Sequence, residues 1–347
     1  MQQRRRISWI DVAKGITIIL VVIGHLNVKW FPRLNPLISE IYTFHMALFF
    51  ILSGLTFKIK EDDSFKRFII KKLKTLVIPY YVFSLLCFVK PLGNMALQII
   101  NKSAFNINNL ITTAYETFIM GEGLWFLLCL FWAELLLYLI IKILKNDKKK
   151  IIVVILVLSI IQSIYLRFIN WGLPLKLDNA FLGLLFVGIG YVFKEMIFNK
   201  KISKINKYVY IIGLLVVHLI VNYITYRLYG RMCSFSDSPN YLLYFISNIS
   251  GSLIIIEISK IITNNKILEF YGKNSLIVYI FNDLILKIYK SIILIILRID
   301  TASLNLIMQY LISLVICICT ILTIIPVIIF INKYFYFLLG KKKESAK

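Results

Sequence analysis

Acidic residues, histidine and proline are scarce in this chain of 347 residues, with 17 Asp and Glu together, 3 His and 7 Pro. Charged residues of both signs fill only 16% of positions, against 59% hydrophobic, and the mean hydropathy is +0.82. So little charge cannot cover the surface of a water-soluble fold of this size, which excludes a soluble enzyme. With 15 Gly and 7 Pro, collagenous and low-complexity architectures are excluded as well. The five cysteines form no disulfide framework, because Cys87, Cys129, Cys317 and Cys319 lie inside apolar runs and only Cys233 falls in a polar segment. None has metal-ligand spacing with a histidine, so no metal site and no bound cofactor are expected.

Apolar length and positive charge are what the chain has in excess. Apolar runs of roughly twenty residues recur about ten times between about residues 9 and 332. The short alternation of a membrane barrel is absent. The expected fold is an all-α integral membrane protein of about ten transmembrane helices, a single domain over residues 1–347 embedded in the lipid bilayer. The formal charge of +23, from 40 Lys and Arg, would suggest nucleic acid as the partner of a soluble protein. Here the cations cluster in alternate connections instead: segments 1–8, 58–74, 142–150, 194–207, 260–273 and 333–347 hold 28 of the 40. Short cation-rich loops stay cytoplasmic. No nucleic-acid partner is therefore expected, both termini are placed in the cytoplasm, and 333–347 becomes a basic cytoplasmic tail. The basic start, Met1 to Arg6, has no small-residue cleavage site after it and reads as the flank of a retained first span. The longest polar connection, Pro91 to Gly121, is expected on the outer side as a small lid or re-entrant element, and 58–74 as a solvated loop or interfacial helix.

Ionisable groups inside spans are costly and are functional suspects by default. The first span holds Asp11, Lys14 and His25. Eleven residues of helix place Lys14 and His25 about 20° apart around the axis and about 16 Å apart along it, one face at two depths. Asp11, three positions before Lys14, is placed to pair with it. His45 opens the second span in Phe44-His45-Met46, on the side where the first span ends, so two of the three histidines are expected at one depth. Of the remaining polar groups, His218 reads as a hydrogen-bonding packing residue, and Lys287 and Lys290 as snorkelling or cavity-lining cations.

Several short motifs are similar to those of a known family. Asp11-Val12-Ala13-Lys14-Gly15 with Val21-Val22-Ile23-Gly24-His25, followed by the Phe44 to Gly54 run, resembles the opening of the acyltransferase-3 family of membrane-bound O-acyltransferases. Gly123-Leu124-Trp125-Phe126-Leu127, Asp178-Asn179-Ala180 through Tyr191, and Tyr271 to Leu276 resemble its later elements, and the likeness runs from about residue 7 to 332. The nearest branch is similar to the fucose 4-O-acetylase-like sugar acetylases. The resemblance implies a ten-helix bacterial plasma-membrane enzyme that takes an acyl group from acyl-CoA, usually acetyl-CoA, to a hydroxyl of a cell-envelope or lipid-linked carbohydrate. It implies His25 as the catalytic residue, with Lys14 and Asp11 on the donor side; Lys14 stands where many members have arginine, and Leu130 where many have glutamate. Asp178 and Glu122 are candidates to orient His25 or bind the acceptor, and His45, Trp125 and Asn282 to supply hydrogen bonds or a stacking face. The competing expectation is a polytopic transporter or flippase for a glycan or small solute. Oligomeric state is not readable from the sequence.

Overall fold

A computed structural model describes residues 7–26, 28–59, 64–100, 107–169, 172–199, 207–235 and 239–341. The basic start at 1–6 and the end of the expected tail at 342–347 lie outside them. Among the described residues the protein is helical throughout, without strands. In chain order the helices are α1 Ser8–Gly24, α2 Asn35–Tyr42, α3 His45–Thr56, α4 Phe65–Lys72, α5 Ile78–Ile100, α6 Ile107–Tyr115, α7 Trp125–Ile143 and α8 Lys148–Phe168. They continue with α9 Leu177–Val192, α10 Lys194–Asn199, α11 Lys207–Tyr229, α12 Tyr241–Ile261, α13 Lys266–Lys273, α14 Ser275–Ser291 and α15 Leu306–Tyr334. Among the described residues eight helical stretches are long and apolar enough to cross a membrane.

Burial along α11 is inverted relative to a protein in water. The residues that α11 buries are His218, Val221, Asn222 and Thr225, at a spacing of three to four. Ile212, Val216, Ile220 and Tyr223 on its other faces are exposed. An apolar exterior around a small polar interior is the pattern of a helix facing lipid, where buried polar groups must find partners within the protein.

Two of the expected connections contain helices. The 58–74 segment forms α4, capped by Ser64, whose hydroxyl accepts from the Arg67 N–H at 3.3 Å. It runs on through a π turn at Leu73–Val77 into α5; residues 60–63 lie outside the description. Between Pro91 and Gly121, α5 continues through Pro91 to Ile100, and α6 with a π turn at Glu116–Met120 fills most of the remainder. The reason is legible in α6: Ile107, Leu110, Ile111 and Ala114 recur at helical spacing among the asparagines and threonines.

The chain divides into two compact units, Met1–Ser53 with Lys194–Asn332, and Gly54–Phe193 with Lys333–Lys347. In the first unit α1 crosses α13 backbone to backbone. A Cβ at Gly15 would overlap the Leu268 carbonyl, and one at Gly272 would overlap the Asp11 carbonyl, so only glycine permits this approach. The start of α1 is tied to the same place: Ser8 Oγ donates to Glu269 Oε1 at 2.5 Å and accepts from the Asn264 N–H at 2.7 Å. Lys273 Nζ holds Glu269 Oε2 at 2.8 Å. In the second unit α9 packs on α7 and α8. There Lys72 pairs with Glu134 at 2.5 Å, its ammonium lying over the Phe57 and Phe68 rings at 5.7 and 5.6 Å.

Gly15→Ala and Gly272→Ala are each expected to lower stability by about 1–3 kcal/mol through overpacking. Gly213→Ala, where a Cβ meets nothing within 4 Å, should leave the unfolding midpoint in detergent unchanged or raised. Equal midpoints for all three would contradict the crossing. Lys273 first, and Ser8 after it, hold the Glu269 carboxyl below the ordinary glutamate range. Their stabilisation is present at neutral pH and lost as pH falls through that lowered value. Glu269→Gln should therefore unfold earlier than the wild type at pH 7 and converge with it only once the pH has fallen below that lowered value; a gap constant with pH would show that the charge plays no part.

Candidate functional site

α1 is an unbroken helix with Lys14 in its second turn and His25 as its C-terminal cap. The eleven-residue spacing therefore stays on one rod, with both side chains half-buried and Asp11 buried. His25 Nδ1 faces the Val21 carbonyl at 2.7 Å. A carbonyl only accepts, so Nδ1 carries the proton, and in the neutral ring Nε2 keeps its lone pair. Among the described residues Nε2 has no hydrogen-bond partner. The imidazole is thus held by a backbone carbonyl of its own helix.

The second span is broken. α2 ends at Tyr42, α3 begins at His45, and Thr43 and Phe44 form the corner between them. The break brings His45, which is buried, to the end of α1, close enough for its charge and that of His25 to interact. His45 Nδ1 donates to the Ile41 carbonyl at 2.8 Å. Tyr42 packs edge-on against His45 with centroids 4.9 Å apart, and its ring covers Gly24, where a Cβ would meet it at 3.4 Å.

α14 supplies the charges. Asp283, Lys287 and Lys290 share one helix face, and all three lie within electrostatic range of the His25 ring. Lys287 is ion-paired with Asp283. Lys290 is buried, 5% exposed, and donates from Nζ to the His25 carbonyl at 3.1 Å. Asn282 is fully buried: its Nδ2 donates to the Tyr279 carbonyl at 2.7 Å, while Oδ1 has no partner among the described residues.

A buried polar network holds the break. His218 Nε2 meets Glu40 Oε1 at 3.0 Å, and Asn222 Nδ2 donates to the same oxygen at 2.8 Å. Ser247 Oγ donates to Asn222 Oδ1 at 2.6 Å, and Thr43 Oγ1 donates to the Glu40 carbonyl at 2.7 Å. His218 Nδ1 donates to the Ser247 carbonyl at 3.0 Å, with Ser250 Oγ at 3.1 Å. His218 is thus a packing residue with a carboxylate partner. Glu40, 178 positions away in sequence, carried no local signal of this.

The other singled-out residues belong to the second unit. Glu122 is ion-paired with Lys176. Asp178 is buried in the first turn of α9, after the left-handed residues Leu175 and Lys176, both at φ 56. Asp178 Oδ1 and Asn179 Oδ1 have no partner among the described residues. Trp125 opens α7, half-buried and edge-on to Phe126. On α7 the carboxylate stands at Glu134, one turn beyond Leu130 and on the same face, where it pairs with Lys72. Among the described residues no group of three His, Cys, Asp or Glu gathers to hold a metal ion.

A bundle of apolar helices with an imidazole, a tyrosine and a buried ammonium converging at one helix end is a polytopic membrane protein with a site for polar chemistry. The sequence model of the acyltransferase-3 family, an acyltransferase domain, matches residues 7–332 and so spans both units. The chain belongs to this family, which makes it an acyltransferase and disfavours the transporter expectation. No curated protein and no solved structure matches it significantly.

Removing Asn222 takes one of two donors from Glu40 Oε1 and the acceptor from Ser247 Oγ. Asn222→Ala is expected to cost about 1–3 kcal/mol, read as an earlier unfolding midpoint in detergent. An unchanged midpoint would mean that the network contributes nothing to the corner.

Proposed function

We propose that the protein is a membrane O-acyltransferase that moves an acyl group, acetyl foremost, from acyl-CoA to a hydroxyl of a cell-envelope or lipid-linked carbohydrate. The observation that carries this reading is the end of α1, where His25 has its Nδ1 proton committed to Val21 and Nε2 left with a lone pair. A sugar hydroxyl is too weak an acid to ionise at neutral pH, so its proton must leave as it attacks the thioester, and a neutral imidazole suits that task. Lys14, half-buried on the same helix face about 16 Å away, is placed to draw a CoA phosphate, with Asp11 beside it. The extended arm of the donor would then span the helix toward His25. His45 and Tyr42 are placed to meet the acceptor, and Asn282 is the nearest of the singled-out amides in sequence to the charged face of α14.

The topology that goes with this reading has ten crossings. α1 and α14, each 17 residues long, join the eight longer stretches, and α14 continues into a π turn at Ile292–Ile296. With both termini cytoplasmic, the orientation that the cation-rich connections favour, CoA would meet the Lys14 end and the carbohydrate the His25 end. The proposed setting is a bacterial plasma membrane, and the proposed branch is that of the sugar acetylases.

Transfer of radiolabelled acetyl from acetyl-CoA to membrane carbohydrate, measured with purified protein in nanodiscs, tests this. His25→Ala is expected to lower turnover by about 10²-fold or more, the range of a lost general base. Lys14→Ala is expected to raise KM for acetyl-CoA with a smaller change in kcat. Undiminished turnover in the first variant, or unchanged donor affinity in the second, would overturn the assignment of that residue.

A further inference from the structure

We infer that Lys290 is a second catalytic residue, the electrophile that stabilises the negative charge developing on the acyl carbonyl oxygen during transfer. This rests on the reading of His25 as the base. Lys290 is 5% exposed, and one of its three N–H bonds is spent on the His25 carbonyl. Among the described residues it has no other hydrogen-bond partner, so two donors remain beside the imidazole. The neighbouring cation, Lys287, is neutralised by Asp283 on the same helix face, which leaves Lys290 as the uncompensated charge of that face. A buried ammonium is costly, and its bond to the last turn of α1 places it at the negative end of that helix, where a cation is favoured.

The chemistry balances without a further reactant. The acceptor hydroxyl oxygen attacks the thioester carbon as its proton passes to His25 Nε2. The carbonyl π pair moves onto oxygen, and that oxyanion accepts hydrogen bonds from Lys290 Nζ. Collapse restores the carbonyl, breaks the carbon–sulfur bond and expels the CoA thiolate, which takes the proton from the imidazolium. Acyl ester and free CoA leave, and both side chains return to their starting states.

The test compares Lys290→Met, which keeps the length and apolar stem of the side chain, with Lys290→Arg, which keeps charge and donors. Steady-state acetyl transfer in nanodiscs is measured for both, along with unfolding midpoints. The inference expects Lys290→Met to lose about 10²-fold in kcat, as for other deleted oxyanion donors, with KM for acetyl-CoA within about threefold of wild type. Lys290→Arg should recover at least about tenfold of that loss. Helix capping alone would move the midpoint and spare kcat in the molecules that remain folded. A Lys290→Met enzyme with kcat within about threefold of wild type, or an Arg variant no better than Met, overturns the inference. Should Lys290→Met not fold, Lys290→Gln replaces it, and wild-type turnover in that neutral donor is equally fatal. Failure of the underlying reading shows itself separately, as wild-type protein that transfers no acetyl or a His25→Ala variant that turns over normally.

Discussion

The crossing of α1 over α13 is the contact on which the first unit's site depends. Two helices that meet through Gly15 and Gly272, carbonyl against Cα, leave no side-chain layer to flex, and dispersion contacts between backbones hold the axis of α1. Lys14 follows directly from this, because it stands one residue from the crossing. Ser8, Asn264, Glu269 and Lys273 complete the fixation at the N-terminal end of α1 with hydrogen bonds and an ion pair. A helix so anchored is a rigid spacer, and eleven residues become a set distance between an ammonium and an imidazole.

The C-terminal end of α1 is organised by polar groups. His45 can approach His25 only because the second span turns a corner at Thr43 and Phe44, and a corner inside an apolar environment exposes backbone groups that need partners. Thr43 satisfies one by donating to the Glu40 carbonyl. Glu40, His218, Asn222 and Ser247 close around the rest, and Gly251 leaves room for Phe44 and His218 to lie edge-on against each other. Such interhelical hydrogen bonds are individually modest in membranes. Their joint effect is to leave the corner a single arrangement, since opening any one strands several buried donors and acceptors at once.

Much of this was legible in the sequence wherever it depended on one helix at a time. The 3.6-residue period alone placed Lys14 and His25 on one face, and the apolar runs alone gave an all-helical membrane protein. The depth shared by His25 and His45 was also readable, since one closes a span and the other opens the next. What could not be read were partnerships across long sequence separations: Glu40 with His218, Lys72 with Glu134, and Lys290 with the His25 carbonyl. The asparagine-rich stretch before Gly121 was legible as polar, but its helix had to be read from spacing, since α6 keeps an apolar stripe despite its asparagines. Lys290 had a signal of a different kind. Three charges in a 17-residue apolar helix, at positions 283, 287 and 290, are too costly to be accidental, and their spacing already put them on one face.

Charge arithmetic at the end of α1 ties these features together. Asp283 and Lys287 cancel, the His25 ring with its Nδ1 proton given to Val21 is neutral, and Lys290 is left as a single positive charge in a setting of low polarity. A resting site with one surplus cation is poorly matched to a neutral thioester and a neutral hydroxyl. It becomes well matched when an oxyanion forms, because the new charge has no water to solvate it and a fixed ammonium to meet it. On the proposed reading His25 would acquire a proton in the same step, so the oxyanion and the imidazolium would appear together as opposite charges beside that ammonium. The arrangement therefore favours the charge-separated state over the resting one, and it does so with groups held by backbone carbonyls, which need not reorganise when the charge appears.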